Sequence, residues 1–168
     1  MSSSSLDTFC VWLKGTSFSL LLQTVSWIVP AAQCVHILAI AALIASALMI
    51  TLRTLGLTAR DRPWEFVARR FLPGIAWSLP VLLGTGLLLI TAEPARSLEN
   101  PAFWLKMVLL VAAIALSVLS YRASTAEPAT WLASGARNPA GKAVAVLFLS
   151  VWVAIVFAGR WIAYIEAS

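Results

Sequence analysis

The chain contains a single histidine, His36, which lies in a long apolar run without charged side chains, from Ile28 to Leu52. A run of this length spans the hydrocarbon core of a bilayer, where an ionisable ring is costly and often functional. A neutral imidazole there can bind a metal or accept a proton, and it can equally well form a structural hydrogen bond to a neighbouring helix. The sequence leaves these three roles open.

Two cations lie within other apolar runs, at similar depths. At 1.5 Å per residue, His36 lies ~13 Å below Trp27. By the same measure Lys106 lies ~8 Å below Pro101, and Arg160 lies ~12 Å from the C-terminus. We therefore hypothesise that an imidazole, an ammonium and a guanidinium converge in one half of the membrane. Lys106 could instead extend to the membrane surface, and Arg160 could form a structural ion pair.

These residue types together would suit a haem. One histidine excludes a bis-histidine haem within one chain, but His36 could be the single axial ligand of haem b, with Met107, Lys106 or an open position opposite. The haem propionates would give Lys106 and Arg160 an anionic partner. Gln33 lies one turn before His36 and shares its face. The alternative is a non-redox site at which His36 binds copper or a proton.

The composition identifies the class of protein. Of the 168 residues, 61% are hydrophobic and only 11% are charged, which excludes a soluble domain. The net charge is +5, but the basic residues gather at the ends of apolar runs, as topology signals do, so nucleic-acid binding is a poor interpretation. Two cysteines provide neither a disulfide framework nor a structural zinc set. The chain is an integral membrane protein.

Four apolar runs are long enough to form transmembrane helices, at residues 28–52, 71–92, 102–121 and 143–165. We therefore predict an all-α fold in which residues 28–168 form a four-helix bundle in the membrane. Asn100 and Pro101 are typical of the cap and first position of a helix, and predict the start of the third span. Gly84, Gly86 and small residues such as Ser46 predict close helix packing.

The N-terminal segment, residues 1–27, is shorter and amphipathic. A helix there would present one apolar face, formed by Leu6, Phe9, Trp12 and Leu13. Such a face is typical of a helix that lies in the membrane interface. We predict that this segment stays in the mature protein as an interfacial segment on the periplasmic side.

The basic residues are distributed unequally between the two sides of the predicted bundle. The loops after the first and third spans hold Arg53, Arg60, Arg62, Arg69, Arg70, Arg122, Arg137 and Lys142. The opposite side has only Lys14 and Arg96. The positive-inside rule therefore predicts that these two loops are cytoplasmic and that both termini are periplasmic, in the inner membrane of a bacterium.

Several short motifs together resemble a family of small four-helix bacterial membrane proteins that carries only a domain-of-unknown-function label. The resemblance extends over nearly the whole chain from Trp27 onward. It rests on the segments Trp27–Pro30, His36–Leu38, Leu52–Leu57, Asn100–Phe103 with Lys106, and Gly159–Tyr164. It implies a four-helix membrane protein and no particular activity.

A second, more distant similarity involves the superfamily of the HemJ-type protoporphyrinogen oxidase and the CopD-type copper-resistance membrane protein. In the HemJ-type pattern, a histidine early in one membrane helix and a lysine after a tryptophan in a later helix serve haem b binding. His36 and the sequence Trp104-Leu105-Lys106 are similar to that pattern. The other histidines of the pattern are absent from this chain, so the resemblance does not carry over the oxidase reaction.

The leading hypothesis is a bundle that binds haem b, or a related redox cofactor, near its periplasmic side. Its role would be electron transfer, or an accessory part in a membrane redox complex with other membrane subunits or further copies of the chain. The alternatives are a copper or proton transport protein and a purely structural subunit. The acidic residues lie almost entirely outside the apolar runs, and no nucleophile motif or phosphate loop occurs, so an independent enzyme is not expected.

Overall fold

The computed structural model describes residues 3–59, 61–62, 64–126 and 139–161. The regular structure in these ranges is entirely α-helical, which confirms the predicted all-α fold. The helices are α1 (Ser3–Lys14), α2 (Ser17–Thr24), α3 (Ile28–Thr54), α4 (Trp64–Ala92), α5 (Pro94–Leu98), α6 (Pro101–Ala126) and α7 (Pro139–Trp161).

Four of these helices, α3, α4, α6 and α7, are long and apolar enough to cross a membrane. The chain is therefore a multi-pass membrane protein, as predicted. Its helices extend beyond the apolar runs: α4 begins at Trp64 rather than at residue 71, and α6 ends at Ala126 rather than at residue 121. Charged residues can continue a helix into the interface, and hydropathy does not detect such turns. Residues 162–165 of the last predicted span lie outside the described residues.

The four long helices form a bundle. α3 lies against both α4 and α7, and α6 lies against α7. The Thr51 hydroxyl, near the end of α3, donates to the carbonyl of Ala145, near the start of α7, at 3.3 Å, so α3 and α7 run in opposite directions. The core draws on all four helices and consists of Leu43, Ala47, Ile50, Ala68, Ile75, Ala113, Phe148, Trp152 and Ile155.

Small residues bring α3 and α4 close together, but not at every predicted position. A Cβ atom added at Gly74 of α4 would collide with the Ser46 side chain of α3. At Gly84, in contrast, an added Cβ would meet none of the described residues within 4 Å, so this glycine takes no part in their packing. The prediction of close packing through small residues is therefore confirmed at Ser46 and wrong at Gly84.

The two ends of the bundle differ in character. At one end, here called the basic end, α3 and α6 finish and α4 and α7 begin. It carries Arg53, Arg62, Arg69, Arg70, Arg122 and Lys142. Arg60 and Arg137, which the sequence assigns to the same side, lie outside the described residues. The opposite end, here called the capped end, holds the starts of α3 and α6, together with α1, α2 and α5.

The predicted short amphipathic helix is present as α1, and a second helix, α2, which the sequence did not predict, follows it. Thr16 separates them, because its hydroxyl donates to the Leu13 carbonyl at 2.7 Å and accepts the Ser19 backbone N–H at 3.3 Å. The latter contact is an N-cap, which starts α2 at Ser17. The fully buried Ser19 hydroxyl then donates to the Thr91 carbonyl at 2.7 Å, and this bond fastens α2 to the end of α4.

The first helix lies against α5, and Cys10 is buried in this contact. Burial, together with the nearby carboxylates of Glu99 and Asp7, raises the pKa of the Cys10 thiol. The other side of α1 is apolar and exposed: Phe9 and Trp12 lie side by side, with their ring centroids 5.8 Å apart. Exposed aromatic rings are suited to a membrane interface, and the interfacial position of this segment stays a prediction.

The start of α6 agrees with the predicted cap. Asn100 is almost fully buried, and its side-chain oxygen accepts the backbone N–H of Ala102 at 2.9 Å. Pro101 occupies the first helical position, where a missing N–H costs nothing. This cap fixes where α6 begins and therefore the depth at which Lys106, just over one turn later, enters the bundle.

Candidate functional site

His36 is held by a threonine of the neighbouring helix. It lies on α3, just over two turns from the capped end, and its ring is half-buried. Its Nδ1 atom lies 2.7 Å from the Oγ1 atom of Thr85 on α4. Thr85 is buried, and its hydroxyl donates to the carbonyl of Val81 in its own helix at 2.7 Å. One ring nitrogen thus has a fixed partner.

Space beside the imidazole comes from a glycine on α4. A Cβ atom added at Gly86 would lie 3.9 Å from the Cε1 atom of His36, which is an ordinary van der Waals distance. Cε1 is the ring carbon between the two nitrogens. Glycine at residue 86 therefore leaves room for about one methyl group next to the nitrogen-bearing edge of the ring.

Lys106 enters the same end of the bundle from α6. Its side chain is half-buried and lies along Gly159 of α7, where an added Cβ would be 3.7 Å from Nζ and 3.8 Å from Cδ. The Lys106 charge is near enough to act electrostatically on the His36 ring. His36 and Lys106 therefore share one polar region, and side chains or backbone from α3, α4, α6 and α7 form it.

The other predicted site residues occupy different environments. Arg160 follows Gly159 on α7 and is exposed, and Gln33 is exposed on α3 one turn before His36. Met107 is half-buried on α6, next to Lys106 in the chain. The structure thus brings together His36 and Lys106 of the predicted set, and the parts assigned to Arg160, Gln33 and Met107 stay predictions.

The ammonium of Lys106 is placed where a charge needs a partner. Arg62 and Asp61, at 3.6 Å, and Arg96 and Glu93, at 2.9 Å, form salt bridges in the described part of the chain. Both are exposed, and neither involves Lys106. A half-buried cation in an apolar environment is stabilised by an anion, so the region is suited to a ligand with negative charge.

Sequence reasoning missed Thr85. A threonine in an apolar helix carries no signal of its own, since its hydroxyl commonly bonds the carbonyl four residues earlier, as here. Its partner is visible only once the register of α3 against α4 is known. That register follows from two contacts, His36 with Thr85 and Ser46 with Gly74, which lie about ten residues apart on antiparallel helices.

Comparison with known proteins places the chain in a family. The chain belongs to a family of unknown function, DUF6644, whose family model matches residues 9–165. This match confirms the resemblance to an uncharacterised family. No curated protein and no solved structure matches the chain, so the more distant similarity to the HemJ-type and CopD-type proteins gains no support.

Proposed function

We propose that this member of the family binds haem b, or a related redox cofactor, at the capped end of its bundle, with His36 as axial ligand. The observation that carries the proposal is the half-buried imidazole whose Nδ1 is bonded to Thr85 at 2.7 Å. Histidines that ligate metals commonly bond through their second ring nitrogen in this way, because the bond fixes the ring's orientation. The Nε2 atom of His36 is then left for a ligand.

The number of protein ligands favours haem over a bare metal ion. No three His, Cys, Asp or Glu side chains come together in the described ranges, so support for a site made of such ligands alone is lacking. A haem brings four nitrogen ligands with it and needs only one axial imidazole from the protein. A single histidine that is held at Nδ1 is sufficient for that role.

The charge of the site favours the same ligand. Haem b carries two propionates, and an ammonium or guanidinium can bind a carboxylate through a charge-assisted hydrogen bond. Lys106 lies within electrostatic range of His36. We assign it to one propionate, and we keep Arg160, which follows Gly159, as the candidate for the other.

The glycines of the site keep side chains away from its two polar groups. The Cα atoms of Gly86 and Gly159 lie beside the His36 ring and the Lys106 side chain, respectively, where any larger residue would fill space. Moreover, α4 and α6 are not among the helix pairs whose backbones pack closely in the described part of the chain. The imidazole and the ammonium fit the chemistry of the proposed group, which would supply one-electron transfer when it is bound.

The location and role follow from the same proposal. The concentration of arginines at the basic end supports a cytoplasmic position for that end, and hence a periplasmic position for the capped end in a bacterial inner membrane. A haem there would serve electron transfer, either in this chain alone or as an accessory subunit of a membrane redox complex.

The test is the absorption spectrum of the detergent-purified protein, expressed with ample haem and recorded oxidised and dithionite-reduced. We expect a Soret band and a reduced α-band in the wild type, lost in His36→Ala and restored by added imidazole. Cys34→Ala is the matched control, because Cys34 is exposed on α3 two residues away, and this variant should keep the spectrum. The proposal is refuted if the wild type carries no chromophore, or if His36→Ala keeps an unchanged one. Elemental analysis and co-purification would then separate copper or proton transport from a structural subunit.

A further inference from the structure

The hydrogen bonds of Thr85 have a direction, and that direction determines where the proton of His36 lies. The Thr85 hydroxyl has one hydrogen, which it donates to the Val81 carbonyl at 2.7 Å; its distance to the next carbonyl, that of Leu82, is 3.4 Å. The 2.7 Å contact with His36 Nδ1 must then use a lone pair of the hydroxyl oxygen. The donor in that contact is His36.

We propose that Thr85 is a positioning residue that holds neutral His36 in the Nδ1–H tautomer, so that Nε2 of the neutral ring presents a lone pair to a ligand. In a neutral imidazole one nitrogen is a donor and the other an acceptor. Because the Thr85 hydroxyl donates its hydrogen to a carbonyl of its own helix, it can only accept a hydrogen bond from the imidazole, and the ring nitrogen that faces it must carry a hydrogen. The chain Nδ1–H to Thr85 to Val81 therefore orients the ring and selects its tautomer together.

This assignment deepens the proposed function and rests on it for one consequence only. If the ligand is a haem or another metal centre, the lone pair on Nε2 makes the bond, and loss of the Thr85 hydroxyl should lower the affinity about 10–100-fold, as for other partners of ligating histidines. The tautomer of His36 does not depend on a ligand, so it can be measured in the ligand-free protein.

The experiment uses the fact that His36 is the only histidine. Protein labelled with [15N]histidine and purified without a polyhistidine tag gives ring nitrogen signals from this residue alone. Proton–nitrogen correlation spectra of the haem-free protein, in detergent at neutral pH, then report which nitrogen carries the proton. We expect one tautomer, with the proton on Nδ1, in the wild type.

Two variants test the role of Thr85. Thr85→Val keeps the branched shape but removes the acceptor, so a population with the proton on Nε2 should appear. Thr85→Ser keeps the hydroxyl and should retain the wild-type tautomer. A wild-type ring protonated at Nε2, or a Thr85→Val ring that is unchanged, would overturn the assignment. The wild-type spectrum alone can do so, even if Thr85→Val fails to fold on gel filtration.

Haem titration of the same three proteins separates this inference from the proposed function. Haem binding that requires His36 but is equal in Thr85→Val and wild type would overturn the assignment of Thr85 and leave the proposed function intact. The opposite outcome is also possible to detect. If the protein binds no haem, the proposed function is overturned; if its His36 proton lies on Nδ1 in the wild type and moves in Thr85→Val, the role of Thr85 is still supported.

Discussion

Replacement of Gly74 by alanine tests the packing that holds α3 against α4. An added Cβ would collide with the Ser46 side chain, so either the serine must rotate or the two helices must separate. Ser46 is buried, and its hydroxyl donates to the Ala42 carbonyl at 2.8 Å. Rotation would therefore break a buried hydrogen bond.

The expected loss can be worked out from these contacts. Overpacking in a dense interior costs about 1–3 kcal/mol, and a broken intramolecular hydrogen bond costs about 0.5–1.5 kcal/mol. The protein adopts the less costly response, and the better helix propensity of alanine over glycine returns about 0.5–1 kcal/mol. We expect Gly74→Ala to lower the free energy of unfolding by at most about 1 kcal/mol if Ser46 rotates, and by up to about 2 kcal/mol if the helices separate.

Gly84→Ala is the matched control on the same helix. An added Cβ meets none of the described residues within 4 Å there, so only the propensity acts, and this variant should be as stable as the wild type or more stable by up to about 1 kcal/mol. Reversible unfolding by SDS in mixed micelles, followed by circular dichroism, would rank the variants. The double variant Ser46→Ala, Gly74→Ala removes the colliding hydroxyl and should recover part of the loss. Equal stabilities of Gly74→Ala and Gly84→Ala would refute the close contact between α3 and α4.

Three further predictions concern the capped end. Ser19→Ala removes the bond that fastens α2 to the half-buried Thr91 of α4, so it should cost about 0.5–1.5 kcal/mol in the same unfolding assay. Asn100→Ala removes the cap of α6 and should cost about 1 kcal/mol, whereas Asn100→Asp should retain most of the stability. In a Cys34→Ala background, Cys10 should react slowly with maleimide at neutral pH, because burial and Glu99 raise the pKa of its thiol above the ordinary value of 9.0. A group whose pKa is raised by folding contributes stability that is present at low pH and lost as pH rises through the folded-state pKa, so the contact of α1 with α5 should weaken in alkali. Labelling at neutral pH as fast as in the unfolded chain would contradict the burial of Cys10.

The four spans could be predicted from the sequence because one physical quantity decides them. A helix that crosses the bilayer needs about twenty consecutive apolar residues, and four runs supply them. The start of α6 could also be predicted, because every helix start leaves backbone N–H groups without a partner in the helix. The Asn100 side chain accepts one of these N–H groups, and Pro101 has no N–H to satisfy. Local chemistry was sufficient in both cases.

The break between α1 and α2 shows where local chemistry was insufficient. The apolar spacing of Phe9 and Trp12 predicts the short helix α1, but it does not predict that a second helix, α2, follows in a new direction. Thr16 caps α2, and the bond from buried Ser19 to α4 gives the turn its direction. The second contact joins residues more than seventy positions apart, so no local pattern contains it.

The rotation of each long helix about its own axis was likewise beyond the sequence. Lipid and protein neighbours are both apolar, so a transmembrane helix has no polar face to show which side meets the bundle. Gly84 and Gly86 illustrate the problem: two residues apart in the chain, they point in different directions, and only Gly86 lies beside His36. Depth along the axis could be estimated from the rise per residue, and the electrostatic influence of Lys106 on His36 agrees with the similar depths estimated for them.

The site depends on the assembly of both halves of the bundle. Thr85 holds His36 within the α3–α4 pair, and Gly159 receives Lys106 within the α6–α7 pair. Packing of α3 on α7, with its bond from Thr51 to Ala145 near the basic end, is what joins the two pairs. An imidazole from one pair and an ammonium from the other therefore come within electrostatic range only in the folded bundle. A ligand that binds both groups must link the two pairs, so its binding free energy adds to the stability of the assembled bundle.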